Sequence, residues 1–262
     1  MADTSNDQAQ QNHDPDEDDS PQAKVMGLLE HLDELRSRMV KGCLGILVLF
    51  CVAMGYSTPI LEFLKSPLRQ ALPDQAKLLH FTSPIEPFIA QIKVSILVAF
   101  IFGSPVWIYQ FWRFIEPALY PKEKKYVLPF TFVSIALFFT GVSFCFFVML
   151  PMALTFLIGL GQETASAIIT ISDYISVIMI LIFAFGFIFE TPLVLVLLAM
   201  LDLIEADTLA KNRKFVLIGI LVLSAVITPP DPISQMAMAF PTYFMFEIAI
   251  VIIRMIKRKK AA

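Results

Sequence analysis

The stretch Tyr126–Leu150, YVLPFTFVSIALFFTGVSFCFFVML, runs for 25 positions without an Asp, Glu, Lys, Arg or His. A spanning helix needs about 20 apolar residues, so this segment alone is long enough to cross a bilayer. The rest of the chain has the same character. Of its 262 residues, 57% are apolar and 16% charged, and the mean hydropathy is +0.72. A soluble domain averages about half apolar and a quarter charged. A chain this apolar cannot hide its surplus in one core of its own, so the bilayer must take it.

Working outward from that segment, five others follow the same pattern. Val40–Tyr56 and Val94–Ile115 precede it, the second of these broken by Gly103, Ser104 and Pro105. Tyr174–Met200, Phe215–Thr228 and Ile233–Ile253 come after it, the last interrupted by Pro241. The fifth segment, Phe215–Thr228, has 14 residues. At about 1.5 Å per residue it reaches about 21 Å, against a hydrocarbon core of about 30 Å. The expected fold is an all-α integral membrane protein with six transmembrane helices, the fifth and sixth short, and capped outer loops.

Charge sets the orientation. Of the 20 basic residues, 16 flank the N-terminal end, the loop between spans two and three, the loop between spans four and five, and the C-terminal end. On the other side stand only Lys65, Arg69, Lys77 and Lys93. The side rich in Lys and Arg is the cytoplasmic one, so both termini are expected inside.

Residues 1–24 form a separate region. Asp3, Asp7, Asp14, Asp16, Glu17, Asp18 and Asp19 stand there with no Lys or Arg among the first 20 positions, and no apolar run suggests a secretory leader. This reads as a disordered acidic tail, followed by a membrane domain at 25–256 and a basic cytoplasmic end at 257–262. Without those seven acids, the formal charge of −3 becomes +4, so the membrane body is mildly basic. The first outer loop, Ile60–Leu72, carries a helical apolar stripe bent at Pro67. Thr228-Pro229-Pro230-Asp231-Pro232 makes a rigid turn between the last two spans. Cys43, Cys51 and Cys145 lie in apolar stretches without ligand spacing and read as small hydrophobes. There is no internal repeat, phosphate-binding glycine loop, HExxH or GxSxG, and His31 and His80 have no ligand-spaced partners. Hence no enzyme, cofactor, metal site or nucleic-acid partner is expected.

Two acids fall inside spans. A charged side chain at the bilayer centre costs roughly 2.5–3.5 kcal/mol on insertion scales, so it calls for a partner, water or a proton. Glu190 sits about 4.5 Å past the middle of the fourth span, towards the cytoplasmic end. It is either a hydrogen-bonded member of the bundle or a polar contact for a substrate or a partner helix. Glu247 lies close enough to the inner end to reach water, and reads as structural. Outside the spans, Glu30–Arg38 is a charged helical lead-in in which Glu34 and Arg38 are spaced for an i,i+4 ion pair. The loop Pro117–Lys125 sets Glu123 among three lysines.

Taken together, these pieces resemble the TatC family, the polytopic receptor subunit of the twin-arginine protein translocase, from about Leu28 to Arg254. The motifs that carry the resemblance occur in order. The first is His31-Leu32-x-Glu34-Leu35-Arg36-x-Arg38, then Ser66-Pro67-Leu68 and Ser83-Pro84-x-Glu86-x-Phe88. Next is Tyr109-Gln110-x-Trp112-x-Phe114-Ile115-x-Pro117-Ala118-Leu119-Tyr120 with Glu123. Phe185-Gly186-x-x-Phe189-Glu190-x-Pro192 and Thr228-Pro229-Pro230-Asp231-x-x-Ser234-Gln235 complete the set. The acidic tail is outside the family pattern, and Ala118 stands where many relatives have Gly.

The resemblance implies that Glu34 and Glu123 receive the paired arginines of a signal peptide, with Arg36 and Phe114 shaping that surface. Carboxylates suit the task because guanidinium demands planar, bidentate acceptors. It also implies that Glu190, Thr228 and Gln235 lie on a membrane face where single-span TatA and TatB subunits dock. Pro67, Pro84, Glu86 and Asp231 are expected to build the outer cap. Further partners would be copies of the chain itself and membrane lipid, and translocation would draw on the proton-motive force. The rival reading is a proton-coupled small-solute transporter built around Glu190, which the missing repeat disfavours.

Overall fold

Residues 21–71, 79–119, 124–162, 169–228 and 232–261 are described by the computed structural model, and its elements are all helical. Tail residues 1–20, Glu123, and the turn residues 229–231 with Asp231 lie outside them. The chain opens with α1 (Pro21–Gly55), then two short helices, α2 (Ser57–Leu64) and α3 (Ser66–Ala71). Next come α4 (Glu86–Phe102), α5 (Ser104–Ile115), α6 (Val127–Phe144) and α7 (Leu150–Gln162), the last two joined by a π-turn at Cys145–Met149. After these run α8 (Ile171–Phe189), α9 (Thr191–Met200), α10 (Ala206–Lys211), α11 (Arg213–Ile227) and α12 (Pro232–Ala261).

Proline marks most of the joints. Pro67, Pro87, Pro105, Pro151 and Pro192 are each the second residue of a helix, and Pro232 is the first of α12. In the first turn the missing N–H of proline would have had no partner anyway, and its φ is already helical. Placed after an existing helix, the same residue interrupts the backbone ladder. Thus α4 and α5 form one apolar unit bent by 53° at Gly103-Ser104-Pro105, the break the sequence suggests. The fourth segment divides at Glu190, ahead of Thr191-Pro192, where the composition alone suggested one uninterrupted span.

Among the described residues, four helical stretches are long and apolar enough to cross a bilayer: His31–Gly55, Lys124–Phe156, Ile171–Met200 and Pro232–Lys257; the bent α4–α5 pair adds a fifth. Helix α11, at 15 residues, reaches only about 22 Å and is the short element expected. The last helix differs from the expectation of a short one. It runs for 30 residues, passing through Pro241 without a break. Its residues after Ile253 continue as a polar, basic extension, and helix-forming Lys and Arg have no reason to stop it.

The core lies between α6 and α8, whose packing is reciprocal. A Cβ on Gly141 would fall 2.6 Å from the Phe185 carbonyl oxygen, and one on Gly186 would fall 2.6 Å from the Phe138 ring. Each helix offers a gap for the other's aromatic side chain, the close approach that small residues allow between membrane helices. Phe138 and Phe185 are completely buried there. Helix α12 packs on α9 and α11, and α1 packs on α4 and α5 at the margin. Only 11% of the apolar stretch of α1 is buried, against 39–56% for the other three long spans, so α1 keeps a broad face for lipid or a partner.

Candidate functional site

At one edge of the bundle, the start of α1 meets the end of α5. Glu34 is half-buried there and accepts hydrogen bonds on Oε1 from Arg38, one turn later, through Nε at 3.0 Å and through Nη2. On its other side, His31 Nδ1 stands 3.9 Å from Glu34 Oε2. The His31 ring stacks on Phe114, with centroids 4.5 Å apart and planes 16° from parallel. Thus the structure brings Glu34 and Phe114 together, with His31 between them. Beside them lies a groove of about 320 Å³, lined by Leu35, Arg38, Met39, Gly42, Trp107 and Phe114 among others. Arg36 does not join this group. Two residues on from Glu34, it is turned about 200° around the helix and lines the exposed face of α1 with Leu32, Met39 and Val40. Beside the site, Arg113 pairs with Glu116 at 2.8 Å. Glu123 lies outside the described residues.

Glu190 occupies the joint between α8 and α9. Its backbone carbonyl accepts from both Leu193 and Val194 N–H, opening the new helix. In its side chain, Oε2 accepts from Ser134 Oγ of α6 at 2.6 Å, while Oε1 is buried with no partner among the described residues. The other two residues expected on the docking face serve a different contact. Thr228 is buried, and its hydroxyl donates to the Ser224 carbonyl at 2.8 Å. Gln235 Nε2 donates to the Leu221 carbonyl at 3.0 Å and ties α12 to α11. Neither is hydrogen-bonded to Glu190. Glu247, in the middle of α12, is held by Arg213 at 2.7 Å and by Tyr243 at 2.8 Å.

On the opposite face, Glu86 is 7% exposed and organises the cap. Its Oε2 accepts from Thr82 N–H at 2.7 Å and from Thr82 Oγ1 at 3.0 Å, and its Oε1 accepts from Ser172 N–H at 3.0 Å. One carboxylate thereby closes the turn before α4 and caps the first turn of α8. The Tyr174 hydroxyl donates to the Leu64 carbonyl at 2.6 Å. His80 exchanges backbone hydrogen bonds with Ile169 and Ile171. Pro67 is buried in α3 beside Leu68, and Pro84 is exposed in the turn ahead of α4. Asp231 is outside the described residues. The histidines His31 and His80, and Ser134, escape sequence reasoning. His31 leaves a trace there as the first residue of a motif, and Ser134 as a polar residue in an apolar span, with one acid in another span to meet it.

These features define a class: an all-helical protein with several membrane-spanning helices, whose polar groups sit at helix joints and edges. A family model described as Sec-independent protein translocase protein (TatC) matches residues 30–241. The TatC of Aquifex aeolicus (strain VF5) is 40% identical over 237 residues, covering 90% of this chain and 98% of its own. That of Escherichia coli (strain K12) is 36% identical over 223 residues, covering 85% and 86%. Among solved structures, a crystal structure of the twin arginine translocase receptor TatC in DDM superposes with a TM-score of 0.76 at 40% identity, covering 85% of this chain and 98% of that one. The chain belongs to the TatC family of protein translocase components. It is therefore a translocase receptor subunit rather than an enzyme, and the solute-transporter reading finds no support in these relatives.

Proposed function

We propose that this chain recognises twin-arginine signal peptides through Glu34 and Glu123 and passes folded cargo to single-span TatA- and TatB-type partners. The observation that carries the reading is the Glu34–Arg38 pair. A half-buried carboxylate already accepts a guanidinium fork from its own helix, so an incoming arginine can compete for the same carboxylate. The stacked His31 and Phe114 rings give that carboxylate a flat apolar wall. Phe114 shapes the site directly, and Arg36, on the far side of α1, acts on the approach to it. On this reading six helices cross the bacterial inner membrane, α11 included, with both termini inside and copies of the chain assembling together. Glu190, with one oxygen unpartnered, receives a polar side chain from a partner helix near Thr228 and Gln235. Transport draws on the proton-motive force.

The test is binding of a twin-arginine peptide to the purified full-length protein. Losing one partner of a desolvated charge pair costs about 2–5 kcal/mol. Glu34→Ala and Glu123→Ala should each weaken binding by that order while leaving the thermal unfolding of the protein near the parent's. Parental affinity in the double variant would remove the assignment.

A further inference from the structure

Lys93 is the described cation on the capped face that no carboxylate meets. Lys65 and Arg69 share Glu62, at 2.7 and 2.6 Å, and their hydrogen bonds and charge, led by Lys65, hold the Glu62 carboxyl below its usual range. The Lys93 ammonium has two hydroxyl acceptors instead: Ser172 Oγ at 3.0 Å and Ser176 Oγ at 2.8 Å. Two acids stand nearby and are committed elsewhere: both oxygens of Glu86 take neutral donors from Thr82 and Ser172, and Asp173 accepts from the Thr170 hydroxyl at 2.8 Å. An ammonium has three donors and a full charge, so two serine dipoles leave it short of a counter-ion.

The surroundings show what could supply one. Lys93 lies on the seam where α4 packs against α8. Ile89 and Ile96 share its face of α4, at i−4 and i+3, and Ile180 continues the Ser172–Ser176 stripe of α8 at i+8. All three are exposed, at 40%, 42% and 54%. From Lys93 inward the seam passes from cationic and hydroxylated to apolar at Ile96 and Ile180, the polarity of one lipid molecule, while Ile89 lies on the cap side of Lys93.

We propose that this seam binds an anionic phospholipid. The headgroup phosphate pairs with Lys93 and shares the serine hydroxyls, and an acyl chain lies along Ile96 and Ile180. A free phosphate would use the upper half of the site only, and its charge would remain beside exposed isoleucines.

The experiment uses the full-length protein in detergent with phosphatidylglycerol carrying a photoactivatable acyl chain, competed by unlabelled lipids. Crosslinks should map to α4 and α8 around Ile96 and Ile180. Unlabelled phosphatidylglycerol should compete about fivefold better than phosphatidylcholine, the advantage expected of one membrane-surface lysine on an anionic lipid. Lys93→Arg should keep that preference, and Lys93→Gln should lose it. Crosslinking absent from the seam of the parent protein would overturn the proposal without any variant. So would an unchanged preference in folded Lys93→Gln, or full competition by excess inorganic phosphate, which would mark an ion site rather than a lipid site.

Discussion

Gly186 has no side chain because the Phe138 ring occupies the place of one, 2.6 Å from where its Cβ would be. Gly186→Ala must push α6 and α8 apart or force Phe138 off its rotamer, and overpacking of this kind costs about 1–3 kcal/mol. The expected outcome is a lower unfolding temperature in detergent. Gly219→Ala serves as the control, since that glycine has nothing within 4 Å and its variant should unfold like the parent. At this scale the sequence is legible only in part. Glu190 and Glu247 look alike as acids in apolar spans, yet one ends on Ser134 and the other on Arg213 and Tyr243. What separates them is the partner, 56 residues away for Glu190 and 34 for the Arg213 contact, and no local pattern carries that distance. The His31–Phe114 stack is hidden for the same reason: each ring belongs to a motif, but only the packing of α1 on α5 brings the two motifs together.

Among the elements, the joints matter more than the helices. The bend between α4 and α5 follows from Ser104-Pro105, where proline withholds one N–H and crowds the carbonyl four residues earlier. Pro105→Ala should let the two helices straighten. Spin labels at the exposed positions Phe88 and Tyr109 should then move apart by about 3 Å, readable as a distance shift in electron paramagnetic resonance. An unchanged distance would mean that tertiary packing, not proline, holds the 53° angle. The positions of apolar segments and most proline joints are legible in the sequence because both are local. Less legible is the division at Glu190, since Thr191-Pro192 sits inside a run that hydropathy alone reads as one span. Helix α12 shows the converse. Pro241 looks like an interruption, but neighbouring helices in a membrane bundle can accommodate the freed carbonyl, and the helix continues.

For the molecule as a whole, the two faces differ in how they are built. One carries α10, the start of α1, the ends of α5 and α12, and most of the Lys and Arg; the other is closed over by α2, α3 and the turn at Thr82–Glu86. With the native cysteines replaced, new ones at Lys125 and Ala261 should resist impermeant thiol reagents in intact cells, and those at Asp74 and Gly161 should react. Reaction of both pairs from outside would refute the both-ends-inside topology.

The cap also has a history in time. Its bonds join residues far apart in the chain: Glu86 to Ser172 spans 86 positions, and Tyr174 to Leu64 spans 110. A ribosome adding about 5–20 residues per second needs about 5–20 s to make the longer interval. Throughout that interval α2 lacks the hydrogen bond that the Tyr174 hydroxyl donates to the Leu64 carbonyl in the finished cap. Newborn chains arrested before Tyr174 should therefore be cut by added protease near residues 57–82, and chains arrested well beyond it should resist. The cap is thus closed only once the start of α8 has been made, and α2 waits for a residue of the fourth apolar segment.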